Sequence, residues 1–426
     1  MYTLNKNGTF ILKNTKINSN IYITPFATDT HMHLLSFGQK LSDPDLEFKN
    51  ENEIRYILEK ELQKNRDTII LRGWSEETFR PEKNFLNKIS SVKPILLIRR
   101  CGHIGIVNNV FFEKFTFEKF PQYINISENL ITEKALEEFY EKNGYYTNIR
   151  ESYETAKNYL LAKGYGFIHS EDIHGITPYD LPYENKELCI YEKIAVNSYK
   201  ELENYYSLGY FVKHHSVKVY LDGSFGGRTA CLKENYSDSS SKGVLTWEDE
   251  ELKKVINFCE NKNLHLAAHA IGDNAAEQFI SVNEEVKPKQ NHRMIHAAML
   301  SDLQIQRIKN INIIADMQPA FIKSDEKILP ARLGNRINMT YRFGDIYKNN
   351  IRLFLSSDAP VEIPDWERDV ITLKNLGLPL DFILKTILLS PEKIDNFNRT
   401  ESIEKQRLIF RENPFENFTS PEKEIS

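Results

Sequence analysis

The 426 residues are roughly three times the ~150 of an average domain, a length that also suits one large α/β unit carrying additions. Lys and Arg total 55 against 60 Asp and Glu, a net charge of −5, so there is no cationic surplus to neutralise a nucleic-acid backbone or an anionic membrane. Hydrophobic residues at 41% and charged residues at 27%, without long blocks of one sign, describe a chain able to bury a core.

The chain opens with Met1-Tyr-Thr-Leu-Asn-Lys-Asn-Gly8, which has no apolar signal core. No apolar run reaches the 18 or so residues of a membrane span, and the expectation is a cytoplasmic protein. Thr9–Leu12 and Ile21–Ile23 read as short β ribbons, to be joined by Leu408–Phe410 in a reduced terminal module over residues 1–25 and 398–426. Ala27–His33 is the first of eight predicted barrel strands. More than 100 residues then intervene, with their own helix (Glu51–Lys64) and strand signals (Thr68–Leu71, Pro94–Ile98), so residues 48–150 are expected as an inserted subdomain, a lid on one loop.

From residue 160 short apolar segments alternate with amphipathic ones: strands at Gly166–His169, Leu188–Ala195, Ser216–Leu221, Leu264–Ala268, Arg293–His296, Ile311–Met317 and Ile351–Ser356. Between two of them, Thr246–Asn261 starts with the capping box Thr246-Trp-Glu-Asp249 and puts Leu252, Val255, Ile256 and Cys259 on one helical face. The pattern is α/β, with parallel strands and crossover helices over residues 26–397. Cys101, Cys189, Cys231 and Cys259 form no C-x-x-C, so neither a disulfide framework nor a thiolate zinc site is indicated; histidine and carboxylate must hold any metal.

The sharpest local signal is Asp29-Thr-His31-Met-His33, because side chains two apart on a strand share a face and present two imidazoles together. Alone it is only moderately specific, since a chain with 11 histidines can produce H-x-H by accident. His269, His296 and Asp358 also follow apolar strands, at the carboxyl ends where barrel enzymes carry their chemistry. Singly, each has an ordinary reading as a core histidine or a capped turn; their common position is what folding alone does not require. Lys218 faces away from Val217, Val219 and Leu221, towards the interior or mouth, where an uncompensated ammonium costs several kcal/mol, as an order of magnitude. A carboxylate such as Asp222 is the ordinary compensation; a metal-bridging carbamate is the alternative.

The chain resembles the metal-dependent amidohydrolase superfamily, in its YtcJ-like branch. The resemblance is carried, in order, by Asp29-Thr-His-Met-His33, Gly102-His103 to Asn108, Lys218 to Ala230, His269-Ala-Ile-Gly-Asp273, His292 to His296, Met317-Gln-Pro319 and Ser356-Ser-Asp-Ala-Pro360. It implies a (β/α)8 barrel of the triosephosphate isomerase type with one or two zinc-type ions at its mouth. His31 and His33 would hold the buried ion and His269 and His296 the exposed one, with Lys218, if carboxylated, as bridge. Asp358 would touch the metal-bound water, accept its proton and pass it to the departing amine as hydroxide attacks a non-peptide C–N bond in an amide, formamide or cyclic amide. His103, Asn108, His169, Asp222 and Arg228 are the expected substrate-facing residues. The partner is then a small-molecule amide, with no nucleic acid and no membrane, and a homo-oligomer is left open.

Two departures stand out: Ile295 occupies the place of a usual Glu, and the terminal β-sandwich looks shortened. Within the superfamily the rival is a single-zinc deaminase, disfavoured because Ala270-Ile-Gly-Asp273 supplies no Glu behind His269. Outside catalysis it is a barrel that only binds a ligand. Trp74, Phe79 and Phe85 in the insertion suggest either an apolar substrate group or simply the core of that subdomain.

Overall fold

The computed structural model describes residues 2–4, 10–12, 22–44, 46–64, 66–75, 78–99, 104–118, 121–143, 148–184, 186–390, 392–402, 405–414 and 416–425. The chain divides into two compact units, one of Met1–Leu34, Lys157–Asp172 and Tyr183–Ser426, the other of Leu35–Ala156 and Ile173–Pro182.

The first unit is built on eight parallel strands: β1 (Ala27–Met32), β2 (Tyr165–Ser170), β3 (Cys189–Ala195), β4 (Ser216–Tyr220), β5 (His265–Ala270), β6 (His292–His296), β7 (Ile313–Met317) and β8 (Leu353–Leu355). Each pairs with its sequence neighbour. The two ends of the sheet meet through polar contacts: Thr30 Oγ1 donates to the Leu355 carbonyl (2.9 Å), Asp358 N to the His31 carbonyl (2.8 Å) and His33 N to the Ala359 carbonyl (2.7 Å). This is the expected (β/α)8 barrel.

The crossover helix Asp249–Lys262 buries Leu252, Val255, Ile256 and Cys259, the face its spacing predicts. Its entry differs from the expected capping box. Glu248 is the N-cap and makes no side-chain cap bond, while the Thr246 hydroxyl donates to the Tyr220 carbonyl and ties the helix entry to β4. Asp249, Glu250 and Glu251 in the first turn supply the negative charge that complements the helix dipole.

Deep in the barrel lies a polar floor. Arg293 on β6, fully buried, binds the Asp316 carboxylate of β7 through Nε (3.2 Å) and Nη2, the His169 ring Nδ1 through Nη1 (2.9 Å), and the Thr30 carbonyl. Asp316 also accepts from the hydroxyls of Thr30 and Ser356, each at 2.8 Å. His169 Nε2 meets Asp395 Oδ2 at 2.7 Å, and Arg399 completes that pair with Nη2 at 2.6 Å.

His292, at the start of β6, is buried, accepts from Leu266 N through Nδ1 (3.2 Å), and has no partner at Nε2 among the described residues. Burial pushes it down to about 3, against ~6.5 in an unfolded chain. Between those values the folded state binds fewer protons, so its contribution to stability is complete above ~6.5 and is lost as the pH falls towards 3. In urea titrations from pH 4 to 6, His292→Met should flatten the dependence of unfolding free energy on pH by up to about 1.4 kcal/mol per unit. An unchanged slope would contradict the assignment.

Both ends of the chain enter one five-stranded antiparallel sheet, ordered Tyr2–Leu4, Phe10–Leu12, Tyr22–Thr24, Gln406–Phe410, Glu422–Ile425. The second unit has its own mixed sheet, ordered Ile69–Trp74, Ile95–Arg99, Ile104–Val107, Leu130–Thr132, Ile124–Asn125. Its helix Glu51–Leu62 opens on a complete capping box, with Asn50 Oδ1 accepting from Glu53 N (3.2 Å) and Glu53 Oε2 from Asn50 N (2.9 Å). Trp74, Phe79 and Phe85 pack edge to face, with centroids 6.0 and 5.0 Å apart, inside this unit's core, so the ordinary reading of these aromatics is the one observed.

Candidate metal centre

β1 delivers His31 and His33 to its carboxyl end, β5 delivers His269, and β6 delivers His296. Asp358 follows β8. His296 and Asp358 both take left-handed backbone, φ 73° and 59°, a costly conformation for residues other than glycine and common where side chains must be aimed. Two donor groups result, each with its ligand atoms within 4.8 Å of one another: His31, His33 and Glu171; and His31, His296 and Asp358. His31 Nε2 is 3.2 Å and His33 Nε2 3.7 Å from Asp358 Oδ1. The His269 and His296 rings lie 4.6 Å apart, and His31 and His296 5.7 Å apart.

Three of the four rings are oriented by acceptors on Nδ1. His33 Nδ1 donates to the Glu171 carbonyl (2.9 Å), His269 Nδ1 to Asp222 Oδ1 (3.0 Å) and His296 Nδ1 to Gln318 Oε1 (2.8 Å). A proton held on Nδ1 leaves the Nε2 lone pair for an electrophile, the arrangement that metal-ligating histidines require. The Gln318 amide orientation follows from its own donations to Ser356 Oγ (2.8 Å) and the Asp316 carbonyl (3.3 Å). It supplies the acceptor for His296, while Ile295 is fully buried.

The electrostatics suit a divalent cation. Burial first, then the nearby Lys218, holds His31 well below the usual imidazole range, and burial with His269 does the same for His296, so both rings are neutral at pH 7. Burial raises the Asp358 carboxyl to about 8, with Lys218 pulling the other way. The buried His31 Nδ1 has no hydrogen-bond partner among the described residues. Neutral imidazoles and a desolvated carboxylate converging on one point form a donor set that fits a metal ion.

Lys218 Nζ, on β4, lies 2.5 Å from Glu171 Oε2, with both side chains fully buried, and 4.2 Å from the Tyr220 ring centroid. The Tyr220 hydroxyl donates to the other oxygen, Glu171 Oε1. The counter-charge of Lys218 is therefore Glu171, not Asp222. The oxygens of Asp222 are occupied by His269 Nδ1 (3.0 Å), Ile271 N (3.1 Å), Gly272 N (2.7 Å) and Cys231 N (2.9 Å). Asp222 orients His269. Asp222→Ala should weaken metal affinity by about 10–100-fold in chelator competition, with the circular dichroism of the barrel retained; affinity equal to the parent chain would remove that role.

The polar groups of the other expected substrate contacts have the following partners. His169 is fully buried with both ring nitrogens engaged in the polar floor. Asn108 is fully buried inside the second unit, where Oδ1 accepts from Ile95 N (3.0 Å) and Phe111 N (3.2 Å) and Nδ2 donates to the Ser90 and Lys93 carbonyls (both 2.9 Å). Arg228 turns outward to a bidentate pair with Asp238 (3.0 and 2.9 Å), which Arg332 also binds. His103 lies outside the described residues. Phe321, which no motif signalled, stacks on His296 at 5.9 Å with the rings 13° from parallel.

Solved structures share this architecture. Those titled as metal-dependent hydrolases from Pyrococcus horikoshii OT3 and Pyrococcus furiosus share the fold, with TM-scores of 0.77 and 0.75 at 23% and 22% identity, covering 93% of this chain and 87% and 88% of theirs. The amidohydrolase family model matches residues 20–368, and the chain belongs to that family. It is 29% identical to the amidohydrolase YtcJ of Bacillus subtilis (strain 168) over 389 residues, 80% of this chain and 71% of that protein. It is 23% identical to the Arabidopsis thaliana protein LONG AFTER FAR-RED 3 over 390 residues, 80% of this chain and 66% of that one. Among the described residues, no helix is long and apolar enough to cross a membrane.

Proposed function

We propose that the chain hydrolyses a non-peptide C–N bond of a small amide-type substrate at a zinc-type centre, with Asp358 as proton shuttle. The observation that carries this reading is the pair of donor groups sharing His31 at the strand ends of the barrel. His31, His33, His269, His296 and Asp358 would hold one or two ions. A divalent ion bound there would acidify water towards neutral pH and polarise a carbonyl oxygen.

The protein's own groups do the rest. Asp358 Oδ1 stands 3.2 Å from His31 Nε2 and 3.7 Å from His33 Nε2, at the point where both donor rings converge. There its carboxylate accepts the proton of the attacking water and returns it to the amine nitrogen as the C–N bond breaks. Asp222, Gln318 and the Glu171 carbonyl keep three rings in the tautomer that binds. The absence of Glu behind His269 weighs against ring deamination, since Asp273 is the N1 residue of helix Asp273–Val286 and accepts from Lys233 N (3.0 Å).

The test is a panel of N-acyl amines, formamides and cyclic amides offered to metal-loaded protein, with amine and carboxylate release measured. Turnover of at least one class that is lost on chelation is expected. A fully loaded protein that binds these compounds and cleaves none would favour the barrel that only binds ligand.

A further inference from the structure

We infer that the second unit carries a small-molecule site of its own, a cleft suited to an α-amino acid with a large apolar side chain. The inference is independent of the metal-centre reading, because every residue that lines the cleft belongs to that unit.

The cleft has a volume of about 500 Å³, inside the ~300–1,000 Å³ range of small-molecule sites. Its apolar wall is an edge of the unit's core, with Trp74, Phe85, Leu86 and Ile106 lining it. Trp74 Nε1 donates to the Leu97 carbonyl (3.0 Å), and Phe79 packs edge to face against both Trp74 and Phe85. Internal packing thus forms the wall, and a ligand would meet it already ordered.

Asn129 adds an acceptor to that wall. It is only 6% exposed and takes left-handed backbone, φ 55°, which asparagine tolerates. Its carbonyl accepts from Val107 N (2.9 Å), and its Nδ2 donates to the Lys83 carbonyl (3.2 Å), a bond that fixes the amide orientation. Oδ1 receives no donor among the described residues, on a side chain that lines the cleft. A polar atom so enclosed calls for a donor from whatever fills the space.

The rim decides the charge of the ligand. It carries Arg80, Glu82, Lys83 and Glu128. Glu82 is paired with Lys88 (2.9 Å), and Arg80 is engaged by other groups. Lys83 and Glu128 are exposed charges of opposite sign with no ion-pair partner among the described residues, each other included. A zwitterion answers both: its carboxylate meets Lys83, its ammonium meets Glu128 and Asn129 Oδ1, and its side chain lies on the apolar wall. A ligand with one charge would leave one of the two unanswered.

The experiment titrates L-tryptophan calorimetrically into the full chain as purified, and again after chelation. One site per chain is expected, with the same affinity in both samples. Indole-3-propionate lacks the ammonium and tryptamine lacks the carboxylate, so each should bind roughly 10–100-fold more weakly, the loss expected of one charged hydrogen-bonding partner. Lys83→Met should weaken L-tryptophan by a similar factor and leave tryptamine unchanged. Glu128→Gln should weaken L-tryptophan and leave indole-3-propionate unchanged. Both side chains are exposed, so neither substitution threatens the fold. No L-tryptophan binding at millimolar concentration, equal affinities for the three indoles, or binding that neither substitution changes would overturn the inference. Binding lost on chelation would also overturn it, since the carboxylate would then be held by metal.

Discussion

Asp358→Asn should lower kcat/KM by about 10²–10⁴-fold, the range associated with a positioned acid–base group. Asparagine keeps the shape and the backbone bond from residue 358 to the His31 carbonyl (2.8 Å), so strand closure persists. What disappears is the carboxyl proposed to take and return the proton. If the variant folds, retains metal and turns over at the parent rate, the proton passes through another group.

The second large effect is on stability. Arg293→Met should destabilise the fold by about 3–5 kcal/mol, the loss typical when one member of a buried ion pair is removed. Asp316 would then lie fully buried without its guanidinium, and His169 and the Thr30 carbonyl would lose donors as well. Replacing Asp316 by Leu in the same chain should recover part of that loss, because an apolar pair has no uncompensated charge. Denaturant titrations of the two single variants and the double variant measure this; additive losses would show that the pair is not coupled.

The sequence made the strand-end donor groups legible because the signal for them is local. A period of two puts His31 and His33 on one face, and an apolar strand followed by His or Asp needs no long-range information. Glu171 was not legible as the partner of Lys218. Which of Ser170, Glu171 and Asp172 faces inward depends on register shifts where β2 meets β1, between Tyr165 and Phe167 and between Ile168 and Ser170, and no local pattern announces them. The polar floor was hidden for a similar reason, since Arg293 and Asp316 sit on different strands and their burial is harmless only once paired. Gln318 did carry a signal, in Met317-Gln-Pro319, but its role became visible only when His296 Nδ1 was seen to need an acceptor. Asn108 and Arg228 are a different case. Both lie in motifs that carry the family resemblance, and both spend their polar groups on local structure, a helix cap and the start of the strand Ile95–Arg99 for one and Asp238 for the other.

Metal content is the most direct measure of the central claim. Protein purified after growth with added zinc should carry at least one zinc-type ion per chain by elemental analysis, and His31→Ala, which removes the donor common to both groups, should fall well below one. Fewer than one ion per chain in the parent protein, or occupancy unchanged in His31→Ala, would contradict it.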